Sequence, residues 1–120
     1  MELVKIVDAR HVLSAFSDEE KISVRLAYWM AKFIAKTENE YWFYTREMQK
    51  ILTTFAVTQD DNTMFIPGEK IADFNASVEA LNKTDVEDPG VRFSLTELSS
   101  ELNLSMKQII PLLDFIDEEK

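Results

Sequence analysis

The chain has 120 residues, 46% hydrophobic and 29% charged, with a net charge of −9. That suffices for one domain with a real core and is too apolar for a disordered chain. The lack of cysteine excludes disulfides, thiolate metal sites and cysteine nucleophiles, and the acidity disfavours whole-surface attraction to DNA or anionic membranes.

Glu2, Lys5, Asp8 and Arg10 break up the N-terminus, so no signal-peptide pattern is visible there. No run of about 18 apolar residues follows, so the expectation is a soluble, intracellular protein without a membrane span. Glu2 to Val7 alternates loosely between apolar and charged residues, as a short strand does. Ala9 to Phe16 then reads as a separate helical turn with Val12, Leu13 and Phe16 facing inward.

The stretch from Asp18 to Phe55 predicts one long central helix. Ser17 followed by Glu20 is a capping-box start, and neither glycine nor proline interrupts the run before Pro67. Apolar side chains recur at Ile22, Leu26, Met30, Phe33, Tyr41, Tyr44, Met48, Ile51 and Phe55, with Thr37 in the one gap. That spacing keeps a stripe on one face of a nearly straight helix. At 1.5 Å per residue such a helix spans roughly 57 Å, whereas a compact chain of this length has a radius of gyration of about 14 Å. Something must cover its far end.

Ala56 to Ile66 is apolar at both ends and polar in the middle, a hairpin signal with its turn at Asp60 to Asn62. Pro67-Gly68 closes it, and Glu69 to Asn82 forms the next helix, with Ile71, Phe74, Val78 and Leu81 on one face. Thr84 to Val91 is an acidic loop broken by Pro89-Gly90. Ser94 with Glu97 caps a short helix carrying Leu95, Leu98 and Leu102. Asn103-Leu104 turns, and Ser105 with Gln108 caps a last helix through Ile116. The acidic end, Asp117 to Glu119, opposes the helix dipole and is expected to fray. The sum is a mainly α single domain over residues 1–120: a long central helix, shorter helices packed on it, and a small strand-and-hairpin β element.

Four stretches, Val24-Arg25-Leu26-Ala27-Tyr28-Trp29-Met30-Ala31-Lys32 with Glu47 to Leu52 further along the same predicted helix, Phe93-Ser94-Leu95-Thr96-Glu97-Leu98, and Leu112 to Ile116, resemble those of a group of small helical proteins of unknown function encoded by bacteriophages and prophages. The resemblance implies a phage context, hence a place in the bacterial host cytoplasm or on the virion. It implies no activity and no site. Tyr41-Trp42-Phe43-Tyr44 departs from the highly charged helix of that group.

Those four aromatics are the most informative feature. Each residue advances about 100° around a helix, so four in a row look in every direction, and a single core cannot receive them all. Tyr41 and Tyr44 belong to the apolar stripe, Phe43 lies to one side and Trp42 points nearly opposite. Residues 21 to 50 carry six basic and three acidic side chains, a net +3 that leaves −12 on the rest of the chain. Lys21, Arg25, Lys32, Lys36, Arg46 and Lys50 share one broad face of the helix, with Tyr28, Trp42 and Phe43 on or beside it. The predicted partner-binding residues are Tyr28, Trp42, Phe43, Arg25, Lys32, Lys36 and Arg46, and the predicted partner is an acidic protein or a second copy of the chain. A solvated face partly neutralised by the chain's own acidic segments explains the same charges.

Other chemistry has less to stand on. Thr96 to Ile110 fits the outline of a helix-turn-helix, but its second helix offers only Lys107 and Gln108 to DNA before Pro111, so nucleic acid is disfavoured. His11 is the lone histidine, Asp60-Asp61-Asn62 lacks the spacing of a calcium loop, and there is no glycine-rich phosphate loop. No catalytic residue, metal site or cofactor is expected, and the chain reads as a non-enzyme. A second functional reading makes it an acidic inhibitor of a host nucleic-acid-binding or antiviral-defence protein, its carboxylates at Asp85, Glu87 and Asp88 mimicking phosphates.

Overall fold

The computed structural model describes residues 1–16 and 21–117. It is mainly α with a minor β component. The first helix, α1, spans Leu3–Ser14, followed by α2 (Val24–Lys36) and α3 (Glu38–Phe55). Two-residue strands β1 (Val57–Thr58) and β2 (Met64–Phe65) form a hairpin. A 3-10 turn over Gly68–Lys70 then leads into α4 (Ile71–Asn82). After a loop come β3 (Phe93–Ser94), α5 (Leu95–Glu101), α6 (Met106–Ile109), a 3-10 segment over Ile110–Phe115 and β4 (Ile116–Asp117).

The N-terminal strand is not formed: residues 3 to 14 make one helix. Its apolar side chains face two ways. Ile6, Ala9 and Leu13 enter the larger core with Leu26, Met30, Phe33, Phe93, Leu98, Leu112 and Phe115, while Leu3 and Val7 join Leu81 in a smaller one. A helix buried on two sides shows no single apolar stripe, and its β-branched residues imitate a strand in sequence. The first residues do pair like a strand edge: Leu3 N–H donates to the Thr84 carbonyl (2.9 Å), Val86 N–H to that of Met1 (2.8 Å), and Glu2 forms an isolated bridge with Asp85.

The predicted 38-residue helix is also corrected. Its proposed cap, Ser17 with Glu20, lies outside the described residues, and α2 starts instead at Ser23, whose hydroxyl accepts from Leu26 N–H (3.2 Å). The run then breaks at Thr37, which has φ −107° and ψ 9° and is fully buried. In an unbroken helix the Ile34 carbonyl would accept from Glu38. Here it accepts from Arg10 Nη1 of α1 (2.6 Å), which also donates to Thr37 Oγ1 (2.9 Å), and Thr37 Oγ1 donates to the Phe33 carbonyl (2.7 Å). The Arg10 guanidinium lies 4.5 Å from the centroid of the Tyr41 ring. Burial pushes its pKa below the usual value, and the charges of Tyr41, Glu38 and Glu40 oppose that shift. Arginine from one helix thus holds the junction of the next two.

Local signals in the second half of the chain are realised. Val57 pairs with Phe65 and Thr58 with Met64, antiparallel. The turn between them places Asn62 at φ 67°, and the Asp61 carboxylate accepts from Thr63 N–H (3.1 Å). Ser94 Oγ accepts from Glu97 N–H (3.3 Å), and Ser105 with Gln108 forms a capping box. The last helix is shorter than predicted. After four α residues, Pro111 turns the chain into a 3-10 segment, and Ile116–Asp117 then lies parallel to Phe93–Ser94. Of the end predicted to fray, Asp117 is held in β4 opposite Ser94, and residues 118 and 119 lie outside the described residues.

The molecule is elongated, with extents of 50 × 32 × 24 Å and a Cα radius of gyration of 17.1 Å. The excess over about 14 Å comes from α3 and α4, which lie antiparallel and pack through Phe55 on Phe74 and Tyr44 Oη on Asn82 Oδ1 (3.0 Å). No residue from 38 to 80 is fully buried, because two helices side by side bury only one line of contact.

Candidate functional site

On α2 the inward stripe is Leu26, Met30 and Phe33. Helical spacing sets Arg25, Tyr28, Lys32 and Lys36 on the outward side. Tyr28 is 58% exposed, and its ring meets that of Trp29 edge to face at 5.5 Å between centroids. Lys32 Nζ lies 4.9 Å from the centroid of Trp29 and 5.9 Å from that of Tyr28, a cation over two aromatic faces. Arg25, one turn toward the N-terminus, is mostly solvent-exposed and only loosely paired with Glu97 at 3.7 Å. These groups form one patch. Trp29 belongs to it and was not among the predicted residues; its place at i−3 from Lys32 was the available signal.

The other predicted residues sit differently. Lys36 lines a polar recess to which Glu40, Glu87 and Asp88 also contribute. Glu40 Oε2 there is buried without a hydrogen-bond partner. Trp42, Phe43 and Arg46 lie on α3, beyond the break, and the face predicted as continuous is divided between two helices. Trp42 is 56% exposed and Phe43 39% exposed. Tyr41 and Tyr44 are half-buried, Tyr41 between Arg10 and His11, whose imidazole meets it edge to face at 6.3 Å. The four aromatics therefore divide as helical geometry requires, two inward and two outward.

Beside the outward side of α2 lies an apolar groove of about 490 Å³ between the end of α1 and α2, lined chiefly by Leu13, Phe16, Ile22, Met30, Ala31 and Ile34. Glu38 also lines it, and Trp42 Nε1 donates weakly to Glu38 Oε1 (3.4 Å), which brings the indole toward it. Sequence reasoning missed this groove. Ala27, Ala31 and Ala35, which contribute to it, carry little hydropathy signal, and its other wall comes from a different helix.

Comparison with protein families, with curated proteins and with solved structures finds no match.

The acidic segments are partly spent within the fold. Asp88 holds Arg92 through both carboxylate oxygens and accepts from Gly90 N–H (2.8 Å), with Gly90 at φ 76°. Asp85 accepts from the Met1 ammonium (2.8 Å). These partners hold both carboxyls below the usual aspartate range, the hydrogen bond from Arg92 leading for Asp88 and that from the N-terminus for Asp85. In the C-terminal region α6 exposes Met106, and the 3-10 segment after it exposes Ile110 and Leu113. Among the described residues no helix is long and apolar enough to cross a membrane, and no cluster of His, Asp or Glu is placed to hold a metal ion.

Proposed function

We propose that this chain is a non-enzymatic phage or prophage protein that binds another protein through the aromatic and basic side of α2 and the start of α3. Its place would be the host cytoplasm or the virion. The phage context rests on the sequence resemblance carried by Val24 to Lys32, Glu47 to Leu52, Phe93 to Leu98 and Leu112 to Ile116. The binding role rests on one observation above others: Tyr28 and Lys32 are stacked together, with Arg25 close by, on a helix face that the fold leaves uncovered. Exposed aromatics beside arginine and lysine are the composition of interface anchors.

An acidic inhibitor acting through Asp85, Glu87 and Asp88 gains less support, because Asp85 and Asp88 are already paired with the N-terminus and Arg92. The two readings separate by mutation. Arg25→Glu with Lys32→Glu is expected to abolish retention of a partner from host lysate, while Asp85→Asn with Glu87→Gln leaves it unchanged; the opposite pattern would transfer the role to the acidic loop. Light scattering then separates a foreign partner from a second copy. A mass of 13.9 kDa for both the native chain and Trp42→Ala means a foreign partner, and a multiple of it that falls on Trp42→Ala means self-association through the indole.

A further inference from the structure

We draw no further inference here: the strongest candidate, the apolar groove of about 490 Å³ between the end of α1 and α2, carries nothing, because nothing in the structure shows what covers it.

Discussion

Asp88 shows how far a single side chain can be assigned. Its carboxylate is held by a two-pronged bond to Arg92 and by Gly90 N–H, and its pKa in the folded state is depressed. A depressed carboxylate stabilises the fold above its unfolded pKa, about 3.9, and that contribution is lost as pH falls through the lower folded value. Stability followed by denaturant melts should therefore decline below about pH 4, and Asp88→Asn should remove part of that decline while costing stability at pH 7. An Asp88→Asn chain with the native pH profile would mean that the pair with Arg92 does not matter in solution. Pairings of this kind are illegible in the sequence, where Asp85 to Asp88 read as an acidic loop or as phosphate mimics. The caps at Ser94 and Ser105 were legible, because a cap is settled by residues three apart.

At the scale of elements, the same distinction separates what the sequence predicts well from what it does not. The hairpin at residues 57 to 65 and the helix ending at Asn82 depend on neighbours in the chain. The break at Thr37 is tied to Arg10, 27 residues earlier; the local signal, Thr37 with Glu40 three residues on at the gap in the apolar stripe, is not realised as a side-chain cap. The two-sided burial of α1 is equally non-local. Arg10 therefore carries a specific expectation. Arg10→Ala leaves the Ile34 carbonyl and the Thr37 hydroxyl short of a charged donor, and hydrogen bonds from charged groups contribute about 1.5–3 kcal/mol. Thermal unfolding should show a loss of about that size, and Arg10→Lys should not restore it, since an ammonium lacks the planar guanidinium that stacks on Tyr41 while donating to the junction. Because the chain has no cysteine, spin labels at residues 25 and 50 would report whether α2 and α3 also straighten. Unchanged stability in Arg10→Ala would mean that the junction is held by Thr37 and packing alone.

For the molecule as a whole, the elongated shape and uncovered surface follow from the division of labour among helices. α1 gathers both cores, α3 and α4 extend away from it with no fully buried residue between 38 and 80, and α2 is left covered on one side only. The sequence stripe correctly separated Trp42 and Phe43 from Tyr41 and Tyr44, yet it could not place Arg25, Tyr28 and Lys32 on a different helix from Trp42, Phe43 and Arg46. The proposed binding face is consequently centred on α2, earlier in the chain than the aromatic run suggests. Photo-crosslinking in host cells addresses this most directly, with p-benzoylphenylalanine placed at position 28 in one chain and at position 61, on the hairpin tip, in another. A discrete covalent adduct with another protein is expected from position 28 and none from position 61; adducts from position 61 alone would contradict a binding face on α2.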